Sequence, residues 1–423
     1  MKEKVLTIQI ISNKGRVDKL LLVLNQTPIR MRNQLLIITT LFVFGCVDKS
    51  NDELVTDAGV NAEVISASFG DNIDSDNLFD YEGLTTPTYI NKDNTGSNDI
   101  TNEGATLGRV LFYDVKLSID NSVACASCHQ QSFAFSDGMQ ASGGVNGSTG
   151  RHSMRLVNSR FADEENFFWD ERALTLEAQT TQPIQDHTEM GFSGEEGNED
   201  FEGLIEKLEA IAHYQELFKL VYGDSEITEE RIQNALAQFI RSIQSFDSKY
   251  DEGRAQVNTN NQAFPNFTEE ENMGKQLFTA RPDFDLNGVR IGGGAGCDGC
   301  HRAPEFDIDP DSRNNGITHS IAGDIDMNVT RAPSLRDIFN SDGDLNGPLM
   351  HTGDMSLEEV IAHYNEIEIS SDNNNLDRQL MANGTPQQLN LTDVEIAALS
   401  AFIKTLSGTN VYTAEQWSDP FKK

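Results

Sequence analysis

The sequence predicts a mainly α-helical protein built from two similar halves in tandem, with long loops. Three observations predict this. The pattern C-x-x-C-H occurs twice, as Cys125, Cys128 and His129 and again as Cys297, Cys300 and His301. Each copy follows a similar helical pattern, and each half closes on a similar amphipathic one, so order and content both recur. Strand-like alternation of apolar and polar residues is scarce.

The N-terminus reads as an export signal. In "RMRNQLLIITTLFVFGC", Arg30 and Arg32 precede an apolar run from Leu35 to Phe44 that ends in Gly45 and Cys46. The run is too short for a mature membrane span and fits the apolar centre of a signal peptide. A small residue followed by Cys resembles a bacterial lipoprotein signal, in which Cys46 becomes the lipidated first residue. Residues 1–46 are therefore assigned to the signal, with Met31 as an alternative start. The chain is expected outside the cytoplasm, periplasmic and lipid-anchored. Residues 47–77 are polar and acidic and are expected to form a flexible tether.

The first half is assigned to residues 78–250. It opens with "LGRVLFYDVKLS" (107–118), which has apolar residues at helical spacing, and closes with "ITEERIQNALAQFIRSI". Residues 251–266 are polar and are expected to be a linker. The second half, 267–410, opens with "MGKQLFTARPDF" (273–284) and closes with "LTDVEIAALSAFIKTL". Both closing helices have a Thr before an acidic first turn, an N-cap signal. Ala235, Leu236, Phe239, Ile240 and Ile243 correspond to Ala398, Leu399, Phe402, Ile403 and Leu406, one apolar face per helix. Residues 411–423 form a tail, in which Trp417 reads as a packed anchor or a surface electron port. Only the first half carries the long segment "RHSMRLVNSRF…FFWDERALTLEAQTTQPIQDHTEMGF". A minimal electron carrier would not need this insertion, whereas an active site would use it.

The chain has five cysteines. Cys46 is the lipid site and the other four fall in the two C-x-x-C-H motifs, so none is left for a disulfide. C-x-x-C-H is the attachment signature of c-type haem: two thiols bond the porphyrin vinyl groups and the following imidazole becomes the proximal iron ligand. A Cys₄ zinc site would not need a His after each pair, and a thioredoxin-type pair usually occurs once, in a β-α-β context. Two haems c are expected, on Cys125 and Cys128 with His129, and on Cys297 and Cys300 with His301. The fold expectation then becomes two cytochrome c-like haem domains in tandem. With 67 acidic residues against 32 basic ones, a net charge of −35 excludes nucleic acid as a partner. It suits a basic partner or plain solubility.

Beyond these motifs, the segments "LGRVLFYDVKLS", "CASCH", "RHSMRLVN", "FFWDERA", "LEAQTTQPIQDHTEMG", "CDGCH", "TRAPSLRDI" and "MHTGDMSLEEVIAHY" resemble the bacterial di-haem cytochrome c peroxidase family, which includes MauG. The resemblance covers about residues 80–410. It implies a peroxidatic first haem and an electron-transferring second haem. Trp169 matches the Trp between the haems, and Gln179 and Glu189 match the peroxide-pocket residues. Pro183 falls where MauG carries a distal-pocket Pro. Tyr364 falls where MauG carries a Tyr ligand to the second iron; Met355 is the competing ligand, and His363 would point to another side of the helix. Tyrosinate stabilises ferric iron, whereas Met raises the potential. The glycine-rich stretch before Arg151 lacks the loop His that ligates the first haem of conventional members. His152 stands where the family has an Asn that helps to hold an interhaem Ca²⁺. That departure counts against calcium, although carbonyls near Thr330 and Pro333 would supply part of a site. His351 is expected to hydrogen-bond near the second haem, and His187, His213 and His319 to lie at the surface.

The expected function is a cytochrome-c peroxidase-type oxidoreductase. It would reduce hydrogen peroxide to water with electrons from a small cytochrome c or cupredoxin. A MauG-like enzyme that uses peroxide to oxidise a protein, and a non-enzymatic di-haem electron carrier, are the alternatives.

Overall fold

The computed structural model describes residues 59–163, 166–308, 312–368, 370 and 372–422, and a short antiparallel pairing of β1 (Ile10–Ile11) with β2 (Val17–Asp18). The chain divides into two compact units, Met1–Thr56 and Asp57–Lys423. Cys46 and the apolar run before it lie outside the described residues. Among the described residues no helix is long and apolar enough to cross a membrane.

In the larger unit the helices follow in order: α1 (Ala62–Phe69), α2 (Asn102–Tyr113), α3 (Cys125–Cys128), α4 (Leu176–Thr180), α5 (Gln182–Gln185), α6 (Phe201–Glu209), α7 (Ala212–Tyr222), α8 (Glu229–Ser242), α9 (Lys249–Arg254), α10 (Glu269–Thr279), α11 (Leu357–Asn365) and α12 (Asp393–Lys404). Strands occur only as short antiparallel pairs: β3 (Gly143–Gly144) with β4 (Gly147–Ser148), β5 (Pro282–Phe284) with β6 (Arg290–Gly293), β7 (His301–Arg302) with β8 (Asp307–Ile308), and β9 (Met381–Ala382) with β10 (Thr385–Pro386). The mainly helical expectation holds.

The repeat seen in the sequence becomes a repeated helix crossing. α2 packs on α8, and α10 packs on α12. All four helices start on a Thr cap: Thr101, Thr228, Thr268 and Thr392 each accept a backbone N–H of the first turn. Glu271 and Glu395 complete capping boxes in the second half. At the first crossing Gly108 lies against the backbone of Ala235, where an added Cβ would meet the Ala235 oxygen at 1.9 Å. At the second, Gly274 lies against Ala398, and the same atom would meet the Ala398 oxygen at 1.8 Å. In both, the nearest side-chain atom is the Cβ of the Phe four residues further on, Phe239 or Phe402, at 2.8 Å. The residue after each glycine is a buried cation that donates to backbone carbonyls. Arg109 binds the oxygen of Ser418 at 2.6 Å, and Lys275 binds those of Asn260 and Gln262 at 2.5 and 2.8 Å.

Two apolar cores form around these crossings. One gathers Leu107, Leu111, Leu236 and Phe239; the other gathers Leu277, Phe278, Leu399 and Phe402. Two segments expected to be loose, and the C-terminal tail, are part of these cores. The tether expectation for 47–77 fails from α1 onward, because Ile65 and Phe69 are buried in the first core, with Phe421 packed against Phe69. The linker expectation for 251–266 fails as well. α9 sits at its start, Tyr250 and Phe264 are buried, and Asp251 makes a buried two-pronged ion pair with Arg336, both arms 2.9 Å. The tail is docked, with Trp417 packed as an anchor: Val411 and Trp417 join the first core, and Tyr113 donates to the Trp417 carbonyl at 2.6 Å.

Candidate functional site

Around the second motif, a turn at Cys297–Gly299 and strand β7 place Cys297, Cys300 and His301 on the wall of a cavity of about 810 Å³. Gly296 enters the turn at φ 75°, a left-handed conformation that favours glycine. The His301 Nδ1 lies 2.9 Å from the Pro333 carbonyl oxygen. A carbonyl only accepts, so Nδ1 carries the proton and Nε2 keeps its lone pair. Burial pushes the His301 pKa down to about 4, which keeps the ring neutral. Tyr364, near the end of α11, lines the same cavity. Burial, the nearby Cys300 thiol and then the Cys297 thiol raise its hydroxyl pKa, against a hydrogen bond to Asn315. His363 points elsewhere, as its helix position implies, with Nε2 2.9 Å from the Asn315 carbonyl. Met355 is not on the cavity wall; Met154, Met350 and Met381 are.

The first motif repeats the histidine arrangement. α3 carries Cys125 and Cys128, and the His129 Nδ1 lies 3.0 Å from the Phe135 carbonyl. Ala134 and Phe135, both at positive φ, turn the chain so that this carbonyl meets the ring. Burial lowers the His129 pKa, so again a neutral imidazole offers Nε2. Facing this motif is the turn after α5. Asp186 Oδ1 accepts the backbone N–H groups of Thr188 and Glu189. The Glu189 carboxyl is pushed up to about 7, first by burial and then by Asp186, with Arg172 opposing. The same carboxylate is close enough to raise the Cys125 and Cys128 thiols, although burial is the larger cause for both. Gln179 stands half-buried on α4, and Pro183 opens α5, where a missing N–H costs nothing.

Between the motifs, Trp169 is buried on the inner wall of the cavity, its Nε1 donating to the His152 carbonyl at 2.7 Å. Its ring lies 6.0 Å from that of His351, a buried histidine whose Nδ1 has no hydrogen-bond partner among the described residues. His152 itself is tied by Nδ1 to the Met139 carbonyl. The Pro333 carbonyl, one of the expected calcium donors, accepts from His301. His213 is a correction: it is half-buried between Phe69 and Tyr214. His319 is exposed, and His187 pairs with Ser193 and Glu196 near the surface.

Two features escaped the sequence reading. The glycine-rich stretch forms the β3–β4 hairpin and docks on the Glu189 turn through Val145 N–H to the Glu189 carbonyl and Asn146 N–H to that of Thr188. Gly144 permits this, since a Cβ there would meet the Thr188 oxygen at 2.1 Å. Arg151 bridges Asp170, next to Trp169, to Asp326 of the second half, at 2.8 and 2.5 Å. The glycines and the lone "GRH" arginine were the only signals for either.

Comparison with known proteins agrees with this arrangement. Residues 102–259 match the sequence profile of the di-haem cytochrome c peroxidases. The methylamine utilization protein MauG of Methylophilus methylotrophus is 31% identical over 325 residues, 74% of this chain and 84% of that protein. The chain belongs to the di-haem cytochrome c peroxidase and MauG family. The cytochrome c551 peroxidase of Nitrosomonas europaea is 27% identical, over 72% of this chain and 80% of its own. A solved MauG-like protein associated with microbial copper homeostasis superimposes with a TM-score of 0.61 at 28% identity, covering 80% of this chain and 99% of that one. The di-haem peroxidase BthA of Burkholderia thailandensis, at 19% identity and a TM-score of 0.53, shares the fold. Membership brings the family's two haems and its peroxidase-type redox chemistry to this chain. Both motifs fit such groups: each offers two thiols and a neutral imidazole with a free Nε2, and the second opens on a cavity with a phenol among its walls.

Proposed function

We propose that this chain is an exported di-haem peroxidase. Hydrogen peroxide is reduced to water at the site of Cys125, Cys128 and His129. Electrons enter through the site of Cys297, Cys300, His301 and Tyr364 from a small cytochrome c or cupredoxin. The observation that carries the reading is Glu189, a carboxyl tuned to about 7 beside the first motif. The haem at that site supplies the redox centre on which peroxide is split. Glu189, as carboxylate, takes the proton from one peroxide oxygen and returns it to the other, the departing water. A group with its pKa near the working pH does both. The Gln179 side chain makes no hydrogen bond among the described residues, and in this reading it orients the peroxide. In this reading Pro183 and the β3–β4 hairpin, docked on the Glu189 turn, shield the reacting peroxide. Trp169 bridges the two sites for electrons. Cys125, Cys128 and His129 would hold one haem and Cys297, Cys300 and His301 the other, by their thiols and a neutral imidazole. Cys46 carries a lipid that tethers the protein in the periplasm.

A second reading, a MauG-like enzyme that uses peroxide to oxidise a protein substrate, is favoured by Tyr364 on the second cavity wall and by the lack of a histidine in the β3–β4 hairpin. Rapid mixing with one equivalent of peroxide separates the two. Immediate reaction of the all-ferric protein, with two oxidising equivalents stored over a long lifetime, supports the MauG-like reading. Reaction only after addition of one electron supports a conventional, reductively activated peroxidase. No reaction in either state leaves an electron carrier and sinks both.

A further inference from the structure

Three methionines line the second cavity, and two of their sulfurs are engaged. Met154 Sδ lies 3.6 Å from an Arg331 guanidinium nitrogen, and Met350 Sδ lies 3.7 Å from the Asn315 amide nitrogen. Met381 differs. It lines the cavity with Cys297, Cys300, His301 and Tyr364, and among the described residues its sulfur makes no hydrogen bond. Met381 and Tyr364 pack on the same small apolar cluster of Ile367, Leu376 and Leu380. The phenol and the thioether therefore share one part of the cavity wall.

The placement of Met381 is built in. It begins the β9–β10 hairpin, whose turn is Asn383–Gly384, both residues at positive φ, the signature of a tight two-residue turn. Asn383 Nδ2 donates to the Asp285 carbonyl at 2.8 Å, and Thr385 Oγ1 to that of Asn287 at 3.4 Å, so the hairpin is pinned to the loop between β5 and β6. The preceding turn, Arg378–Leu380, rests on the haem-attachment loop: a Cβ on Gly299 would meet Gln379 at 3.1 Å. A fixed backbone thus carries an unbranched side chain whose three rotatable bonds let its sulfur move.

We propose that Met381 is the sixth ligand of the second haem in its reduced state, exchanging with Tyr364. This rests on the reading above that Tyr364 holds the ferric iron. The charged, hard phenolate oxygen favours ferric iron, and the soft, neutral thioether favours ferrous iron. On arrival of one electron from the donor protein, the Tyr364 oxygen leaves the iron and takes a proton from water. The Met381 sulfur then donates a lone pair to the vacated position. Reoxidation reverses both steps, and the sulfur's own oxidation state does not change. One site then serves as an electron port when reduced and a holder of oxidising equivalents when oxidised.

The test uses the full-length, haem-loaded protein, reduced with dithionite, and reads absorbance and proton NMR. Wild type should show a sharp low-spin ferrous α band from the second haem and a methionine methyl resonance shifted far upfield by the porphyrin ring current. In Met381→Leu, a near-isosteric change that keeps the fold, both should be lost while the ferric spectrum stays as in wild type. Met381→His should restore a six-coordinate ferrous band without the methyl resonance. The proposal is overturned if Met381→Leu keeps the resonance and the sharp band, or if wild type never shows the resonance. Tyr364→Phe should alter the ferric spectrum only. An unchanged ferric spectrum there would overturn the exchange by removing Tyr364 as a ligand, a failure distinct from that of Met381.

Discussion

Replacing Gly108 by alanine puts a methyl carbon 1.9 Å from the carbonyl oxygen of Ala235 and 2.8 Å from Phe239 Cβ. Ordinary contact begins near 3.4 Å, so the axes of α2 and α8 must part by 3.4 less 1.9, about 1.5 Å. The obstacle is backbone in a helix interior and cannot swing aside. A gap of about 0.5–1 Å already forfeits a quarter to a half of each dispersion contact across an interface. Overpacking of a well-filled core costs about 1–3 kcal/mol, and a backbone clash belongs at the upper end. Alanine's better helix propensity returns about 1 kcal/mol. The net loss should be about 2 kcal/mol, or a fall of about 4–8 °C in Tm for a half of this size. Gly274→Ala, with its methyl 1.8 Å from the Ala398 oxygen, should lose as much or slightly more. Gly150→Ala, which has no atom within 4 Å of the added methyl, is the control and should be neutral or better. Calorimetry on the haem-loaded protein reads all three. If Gly108→Ala melts at or above wild type, the close crossing is not what holds the first half together, and the argument from the repeat fails with it.

Glu189→Gln should lower the rate of reaction with peroxide about 10²–10⁴-fold while both haems stay attached, read by stopped-flow absorbance. In wild type that rate should rise with pH through about 7, as Glu189 becomes the carboxylate that accepts the proton; in Glu189→Gln the step should disappear. Stability should show the opposite trend. The folded carboxyl binds its proton more tightly than the unfolded one, so the contribution is complete below about 4.5 and is lost as pH rises to about 7, measured by urea unfolding at several pH values. Arg336→Met leaves the buried Asp251 carboxylate unpaired and should cost about 3–5 kcal/mol in denaturant unfolding, whereas Arg336→Met with Asp251→Leu should recover most of it. Trp169→Phe should slow electron passage between the haems after mixing with reduced donor, while the first reaction with peroxide keeps its rate.

What could be read from the sequence was whatever is local. The spacing of Cys125, Cys128 and His129, the caps at Thr228 and Thr392, and the apolar face shared by Leu236 and Leu399 are each written within one turn or one helix. All of them stand where expected. What could not be read depends on where distant segments meet. Residues 59–77 are polar enough to suggest a tether, yet Ile65 and Phe69 find an apolar partner in Phe421, more than 300 residues away. The composition of 251–266 suggests a linker, because Asp251 looks solvated until Arg336 arrives to pair with it. Met355 and Met381 are indistinguishable as potential ligands on spacing alone; only the β9–β10 hairpin puts the second on the cavity wall. Nothing local marks Arg109 and Lys275 as buried; both are, because loop carbonyls close over them.

The two halves repeat the same scaffold, so the difference between the sites must come from what is added to it. Gly108 with Ala235 and Gly274 with Ala398 hold the two helix pairs in the same close crossing, and both proximal histidines turn Nδ1 to a carbonyl. These shared elements fix a haem; they do not choose its chemistry. In the first half the insertion adds a titrating carboxyl, Glu189, in a turn stapled by the β3–β4 hairpin, and no sulfur or phenol is placed there by the matching elements. In the second half α11 and the β9–β10 hairpin add Tyr364 and Met381 to the cavity wall, two side chains able to ligate a metal but not suited to moving a proton between peroxide oxygens. The proton-handling group therefore belongs to the site that must split an O–O bond, and the ligand-supplying groups to the site that must gain and lose electrons. Arg151 holds the insertion to the second half through Asp170 and Asp326. Trp169, next to Asp170, is thereby kept where the insertion meets the second half, the position an electron bridge between the proposed sites would need.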